Sequence, residues 1–156
     1  MHTAYINIGS NLGDRHGNIA AAVAAVKERI NPSVRLSDPV ESPPWGYESS
    51  NPYINIGVAF QTVLPPEELL AALLDVQKSI SDMPHRNGQG GYTDRIIDID
   101  LIAVDEIVYT SSTLTLPHPR MHLRPFVLIP MLQLAPRWSH PHLNLTPAQL
   151  LASLTE

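Results

Sequence analysis

The sequence predicts an α+β domain in which helices pack on an antiparallel β-sheet. Four segments have the apolar patterns of strands, and two segments have apolar residues at helical spacing. They follow one another in the order β-α-β-β-α-β. This is the order of the ferredoxin-like split βαβ arrangement, which has its helices on one face of the sheet. The length of 156 residues favours one domain with a sizeable core.

The first strand and the first helix are joined by a glycine-containing turn. Residues 4–10 alternate apolar side chains with small or polar ones, which is a strand pattern. Gly13 suits the turn that follows, and Asn11 or Asp14 suits the N-cap of a helix over residues 16–30. An Asn-Pro pair then ends this helix.

Two strands separated by a loop come next. Residues 33–42 predict the second strand. The proline inside it indicates an edge or a bulged strand, because proline cannot donate a ladder hydrogen bond. Residues 43–52 have the composition of a loop, and residues 53–63 predict the third strand.

The second helix begins at a Pro-Pro pair, where Glu67 and Glu68 place negative charge at its positive end. Its apolar face carries Leu69, Leu73, Val76 and Ile80. A glycine-containing loop over residues 81–93 leads to the fourth strand at residues 95–106. The rest of the chain predicts an extra strand, loops and short helices at the C-terminal end.

Composition excludes several classes of protein. Hydrophobic residues make up 44% of the chain and charged residues 16%, which is a globular composition. No cysteine is present, so disulfides and thiolate chemistry are excluded. The first residues lack signal-peptide features, and no apolar run reaches the roughly 20 residues that cross a bilayer, so we expect a soluble cytoplasmic protein. A formal charge of −5 argues against general nucleic-acid binding.

The fourth strand contains an acidic pair, Asp98 and Asp100, within the apolar segment DRIIDIDLI. The two side chains share a face, with Cα atoms roughly 6.5–7 Å apart at about 3.3 Å per residue. They repel each other unless a cation lies between them, and Mg²⁺ takes such carboxylates together with phosphates and waters. Arginines, which suit phosphate groups, bracket the pair at Arg86, Arg95, Arg120 and Arg124. Spacing alone favours the simpler alternative of a strand face with two solvated acids.

Three other motifs have simple structural interpretations. The IGSNLGD turn lacks the glycine and lysine pattern of phosphate loops, so an ordinary tight turn is favoured. His118 and His122 have i, i+4 spacing, but the prolines on either side of His118 argue against a helical zinc site. The PPWGY segment is either an aromatic ligand loop or a rigid surface turn with Trp45 packed on the body.

Four separated segments together resemble one enzyme family. They are AYINIGSNLGD, ESPPWGYESSNPYINIGVAF, DRIIDIDLI and LPHPRMHLRPFVLIPMLQLAP, between about Ala4 and Pro136. In order and spacing they are similar to 6-hydroxymethyl-7,8-dihydropterin pyrophosphokinase of folate biosynthesis. The resemblance implies a single pterin pyrophosphokinase domain over residues 1–156, which transfers pyrophosphate from ATP to the hydroxymethyl group of a reduced pterin and releases AMP. It also favours metal binding over solvation for the acidic pair.

The resemblance assigns roles to individual residues. Asp98 and Asp100 would bind two Mg²⁺ ions and, with Arg95 and Arg86, form the catalytic group. The ATP site would comprise Arg95, Leu101, Thr115, His118 and Arg124. The pterin site would comprise Ser42, Pro43, Trp45, Tyr53, Asn55, Tyr92 and Phe126. Asn55 would read the pterin edge, because its amide can both donate and accept hydrogen bonds.

Several positions around the second helix and the following loop depart from the family pattern. They are Ser81-Asp82 in place of Gly-Arg, Thr93-Asp94 in place of Gly-Pro, Gln77 in place of a glutamate and Tyr92 in place of a tryptophan. Arg86 is the candidate replacement for the missing loop arginine. Two alternatives therefore stay open: a binding module for pterin and ATP with little turnover, and a Mg²⁺-dependent phosphohydrolase. In either case we expect a monomer that binds neither nucleic acid nor membranes.

Overall fold

The computed structural model describes residues 1–42, 52–81 and 96–154. Within these ranges, one antiparallel sheet contains most of the strands. The other two strands form a separate two-stranded ribbon, and four α-helices pack around the sheet. The sheet strands are β1 (His2–Ser10), β2 (Val34–Leu36), β3 (Val40–Ser42), β4 (Tyr53–Thr62) and β5 (Asp98–Val104). The ribbon strands are β6 (Tyr109–Thr110) and β7 (Thr115–Leu116). The helices are α1 (Arg15–Arg29), α2 (Pro66–Ser81), α3 (Pro125–Leu134) and α4 (Pro147–Ser153), with a 3-10 turn at Met121–Leu123.

The strand order of the sheet is β2-β4-β1-β5, with β3 also paired to β4. Each of these pairings is antiparallel. Counting β2 and β3 as one interrupted strand, the chain runs β-α-β-β-α-β, which confirms the ferredoxin-like prediction.

The second predicted strand is interrupted, as its proline indicated. Between the pairs Leu36–Val58 and Val40–Asn55, the edge strand advances four residues while β4 advances three. Gly57 and Ser37 hold this bulge together: Ser37 N donates to Gly57 O at 2.9 Å, and Gly57 N donates to Ser37 Oγ at 2.8 Å. Both backbone N–H groups therefore keep a partner at the break, with the Ser37 hydroxyl replacing a ladder carbonyl for Gly57 N.

The start of α1 follows the sequence prediction closely. Gly13 has a φ of +72°, a left-handed conformation that glycine adopts without steric cost. Asp14 is the N-cap, and its Oδ1 accepts a hydrogen bond from Gly17 N at 3.0 Å. The turn is thus an ordinary helix entry, which agrees with the interpretation made from the missing phosphate-loop pattern.

One face of the sheet packs on α1 and α2 through a continuous apolar core. This core takes alternate residues of the strands and the buried stripes of both helices; its least exposed members include Ile8, Val26, Val58, Leu69, Leu73 and Val76. On α2 the stripe is the one expected from helical spacing, with Leu69 at 0% and Leu73 at 1% exposure.

The other face of the sheet carries helices as well. They are the short C-terminal helices that the sequence predicted, but their position on this face was not predicted. The C-terminal helices α3 and α4 cover one end of it, packing on Tyr5, Ala59 and Ala103. Gly57 permits this approach, because a Cβ there would lie 2.5 Å from the Cβ of Pro130 on α3. A register shift between β1 and β5 leaves Ile102 as the extra residue and places it beside Ala103 in this second core.

No helix within the described ranges has the length and hydropathy needed to span a membrane. The predicted loops over residues 43–52 and 81–93 lie largely outside these ranges. Ser81, predicted to begin the second of them, is the last residue of α2.

Candidate active site

The uncovered end of the second sheet face is polar and is organised in rows. Antiparallel register aligns Asn55 of β4, Gly9 of β1 and Asp98 of β5 in one row. Gly57, Asn7 and Asp100 form the next row, in which α3 already covers Gly57. Paired residues of neighbouring strands point to the same face. With strands about 4.8 Å apart, the Cα atoms of Asn55 and Asp98 lie about 10 Å from each other.

Gly9 leaves the middle of this face without a side chain. A Cβ at this position would lie 2.9 Å from Asn55 Oδ1 and 3.2 Å from Tyr53 Cδ1. Any larger residue would therefore push against both side chains. The glycine therefore lets the Asn55 amide and the Tyr53 ring pack closely against β1.

Asn55 is almost fully buried and its amide nitrogen is already used. Its Nδ2 donates to Ser42 Oγ at 2.8 Å and to Val40 O at 3.1 Å, both on β3. The exposed fraction of Asn55 is 3%. The sequence predicted that this amide would both donate and accept; the structure gives both amide hydrogens protein partners, so Oδ1 is the atom suited to a ligand.

Asp98 and Asp100 lie half-buried on β5, on the face away from α1 and α2. Ile97, Ile99 and Leu101 point the other way, into the first core. The alternation expected from a strand is therefore present through the whole acidic motif.

Gln77 of α2 binds the backbone between the two aspartates. Ile99 N donates to Gln77 Oε1 at 2.8 Å, on the edge of β5 that faces away from β1. An edge strand leaves such N–H groups without a ladder partner, so the side chain substitutes for a neighbouring strand. The sequence marked Gln77 only as a departure from a family pattern, because its contact with Ile99 is set by tertiary packing.

A cavity of about 440 Å³ lies beside the acidic pair. It is bounded by α2, by β5 and by the turn and strand at residues 111–115, and it contains several of the residues predicted for ATP and metal binding. These are Asp98, Asp100, Leu101, Thr115 and His118. Leu70 and Leu74 add an apolar wall from α2. Hydroxyl groups and an apolar wall suit the sugar and base of a nucleotide, and the two carboxylates suit its phosphates only with a divalent cation between them.

His118 enters the cavity as a neutral hydrogen-bond donor. Burial, followed by the positive charges of Arg124 and Arg120, lowers the pKa of His118 from 6.5 to about 4, against a smaller opposing effect of Asp98. Its Nδ1 accepts a hydrogen bond from Arg120 N at 3.1 Å, so the ring proton lies on Nε2. His118 N also donates to Ile102 O at 2.8 Å, which ties the residue to β5.

Arg124 and Phe126 lie at the start of α3 and border the polar face. The guanidinium carbon of Arg124 lies 5.7 Å from the centroid of the Phe126 ring. Asn7, which is 4% exposed, donates from Nδ2 to Phe126 O at 2.9 Å. Asn7 and Gly9 were not singled out from the sequence, although their alternation with apolar residues in β1 could have indicated a shared face.

The remaining predicted site residues lie outside the described ranges: Pro43, Trp45, Arg86, Tyr92 and Arg95. Among the residues that are described, no cluster of three or more imidazole or carboxylate groups could enclose a metal ion. Two neighbouring carboxylates nevertheless fit Mg²⁺, because this ion usually takes one or two carboxylates and completes its shell with phosphate and water oxygens.

Comparisons with known proteins point to one family. Residues 5–136 match the family model described as 7,8-dihydro-6-hydroxymethylpterin-pyrophosphokinase. A 2-amino-4-hydroxy-6-hydroxymethyldihydropteridine pyrophosphokinase of Porphyromonas gingivalis is 39% identical over 144 residues, which cover 90% of this chain and 95% of the relative. The enzymes of the same name from Aquifex aeolicus and Bacillus subtilis are each 32% identical, over 141 and 132 residues that cover 85% and 77% of those relatives and 90% and 84% of this chain.

Solved structures agree on the fold. A crystal structure of Plasmodium falciparum HPPK-DHPS with pteroate matches 97% of this chain with a TM-score of 0.75 at 13% identity. The match spans 42% of that longer chain. At this identity the likeness concerns the fold alone.

Proposed function

The chain belongs to the 7,8-dihydro-6-hydroxymethylpterin-pyrophosphokinase family, and on this premise we propose how its polar sheet face accommodates two substrates. The protein is an ATP-dependent pyrophosphokinase of folate biosynthesis. It transfers pyrophosphate from ATP to the hydroxymethyl group of 6-hydroxymethyl-7,8-dihydropterin, and AMP leaves. The observation that supports the proposal is the register, by which Asn55, Gly9, Asp98 and the neighbouring Asp100 share one face of the sheet.

The acidic pair is the proposed Mg²⁺ site. Asp98 and Asp100 present carboxylates on the same face, next to a cavity large enough for a nucleotide. Bound Mg²⁺ would neutralise charge that develops on the phosphates during transfer. The two aspartates hold this positive charge in place, and Gln77 fixes the backbone between them. Two ions are expected from the family resemblance.

The cavity between α2, β5 and the 111–115 segment is the proposed ATP site. Leu70 and Leu74 offer an apolar surface for the base, and Thr115 offers a hydroxyl group. His118, neutral above about pH 4, donates from Nε2 to a ligand oxygen without adding charge. Arg124 supplies positive charge near His118, whose pKa it lowers, and Arg95 is proposed to contact phosphate.

The pterin is proposed to lie over Gly9, between Asn55 and the start of α3. Asn55 Oδ1 accepts a hydrogen bond from a ring N–H, while Ser42 orients the amide. Tyr53 and Phe126 supply aromatic faces for a flat ring. In this position the pterin hydroxyl is directed toward Asp98 and the phosphates, so attack on the β-phosphorus requires positioning more than covalent help from the protein.

Pro43, Trp45 and Tyr92 are proposed to complete the pterin site, and Arg86 to deliver positive charge to the triphosphate. We also propose that residues 1–156 form one domain, acting as a cytoplasmic monomer. These assignments follow from the family resemblance rather than from the described geometry.

An assay of AMP formation tests the proposal. AMP should form from ATP only when both 6-hydroxymethyl-7,8-dihydropterin and Mg²⁺ are present. Release of inorganic phosphate without the pterin would favour a phosphohydrolase. Calorimetric binding of both substrates without AMP formation would instead favour a binding module that lacks turnover.

A further inference from the structure

A carboxylate outside the acidic pair accepts hydrogen bonds from three hydroxyl groups. Glu67, in the first turn of α2, accepts hydrogen bonds from Tyr109 Oη at 2.8 Å, from Thr113 Oγ1 at 2.7 Å and from Ser111 Oγ. The bonds from Ser111, Thr113 and Tyr109 lower the pKa of Glu67 below its usual range. The bond to Glu67 raises the pKa of Tyr109. All three donors belong to β6 and the turn that connects it to β7.

Ser111 links this carboxylate to the internal structure of the turn. Its Oγ accepts from Leu114 N at 3.1 Å and from Thr113 N at 3.2 Å, and Ser111 N donates to Leu114 O at 2.8 Å. Because the hydroxyl hydrogen of Ser111 goes to Glu67, the carboxylate also orients the oxygen around which the turn closes.

The same turn forms a wall of the cavity. Residues 111–115 line it opposite Leu70 and Leu74 of α2, while Glu67 itself does not reach the cavity. Glu67 therefore acts on any bound ligand only through the turn that it holds against α2.

We propose that Glu67 is a positioning residue for nucleotide binding, which fixes the 111–115 wall against α2 before ATP arrives. The inference rests on the proposed placement of ATP in this cavity. A wall that is already ordered loses less conformational freedom on binding, so preorganisation raises affinity without changing the chemistry. Glu67 touches no reacting atom, and its loss is expected to weaken ATP binding rather than to slow transfer.

The neighbouring acid provides a matched control. Glu68 lies in the same first turn of α2, is exposed, and like Glu67 is placed to favour the helix dipole. Glu67→Gln and Glu68→Gln remove the same charge from the same turn. Any difference between the two variants in ATP binding or in hydrogen exchange therefore comes from the hydrogen bonds of Glu67 to the ribbon, because the effect on the helix is the same in both.

The experiment combines steady-state kinetics with hydrogen exchange measured by mass spectrometry. Glu67→Gln should raise the KM for ATP about fivefold, with kcat and the KM for the pterin within about twofold of wild type. The peptide covering residues 109–116 should exchange faster in the ligand-free variant. Glu68→Gln should change neither quantity. Tyr109→Phe removes a single donor, so it should raise the KM for ATP and speed the exchange of residues 109–116 by smaller amounts. This variant replaces Glu67→Gln if Glu67→Gln fails to fold.

Each contrary outcome has a distinct meaning. Unchanged exchange of residues 109–116 in Glu67→Gln would overturn the positioning role. Faster exchange with an unchanged KM for ATP would overturn the nucleotide part of the inference and place ATP elsewhere. A fall in kcat at unchanged KM would also contradict it. The proposed reaction itself is judged separately, by whether the wild-type protein forms AMP only with the pterin.

Discussion

The two faces of the sheet differ in what covers them. The face toward α1 and α2 is apolar along its whole length, with strand residues such as Ile8 and Val58 fully buried. The opposite face is apolar where α3 and α4 pack on it. It becomes polar from Asn7, at the start of α3, to Asn55 and the acidic pair. The same strands supply both faces, because successive side chains of a strand point in opposite directions.

This difference separates stability from activity within single strands. In β5, Ile99 supports the core, and the aspartates on either side of it line the cavity proposed for ATP. Substitutions on the covered face are therefore expected to reduce the free energy of unfolding, and substitutions on the polar end are expected to reduce activity while the fold survives.

The largest expected effect is a loss of stability on the covered face. Leu69→Ala should lower the free energy of unfolding by about 3 kcal/mol, because it leaves a cavity under a fully buried side chain. Denaturant unfolding followed by circular dichroism measures it. Leu74→Ala, at a position of α2 that is 49% exposed, should cost less than about 1 kcal/mol. Equal losses in the two variants would contradict the assigned core.

A second test applies the same logic to the polar end. Asp98→Ala and Asp100→Ala should each slow transfer at least about 100-fold, or about 2.7 kcal/mol, the scale of a lost key electrostatic group. Unfolding free energy should stay near wild type, because removing one of two like charges relieves repulsion. Asp75→Ala, an exposed acid on α2, is the matched control. Near-wild-type rates at ordinary Mg²⁺ would rule out the metal role.

Asn55 tests the substrate-reading part of this face. Asn55→Ala should weaken pterin binding by roughly 2 kcal/mol, because a ring N–H would lose its acceptor in a buried site. ATP affinity, measured by calorimetry in the same titration series, should barely change. Ser42→Ala should have a smaller effect in the same direction, since Ser42 contacts the Asn55 amide. Equal losses for both ligands would make Asn55 a packing residue.

The smallest expected effect concerns the outer edge of β5, where Gln77 of α2 binds the backbone between the two aspartates. Gln77→Met removes the acceptor for Ile99 N and should raise the Mg²⁺ concentration for half-maximal rate about fivefold, or about 1 kcal/mol. Gln77→Glu keeps an acceptor and should preserve slow exchange of the Ile99 amide. If that amide exchanges equally fast in wild type and in Gln77→Met, the hydrogen bond does not hold the strand.

Periodicity and turn chemistry in the sequence determined much of the fold. The four-strand, two-helix order, the Gly13 turn, the apolar stripe of α2 and the interruption of the second strand were all predicted, and Asp14 was one of two predicted N-caps. These features depend on neighbours within a few residues, so local spacing is enough to reveal them. The shared face of Asp98 and Asp100 follows from the same strand geometry.

Only the tertiary structure decided which residues of neighbouring strands lie side by side and which elements pack on each face. Spacing shows which residues share a face, but it does not show that antiparallel register aligns Asn55, Gly9 and Asp98, or that α3 covers the other end of that face. It could not show that both amide hydrogens of Asn55 are already bound on β3, nor that Glu67 holds a turn more than 40 residues away in the chain. These contacts join distant segments, and they are selected by how the whole chain packs rather than by any local pattern.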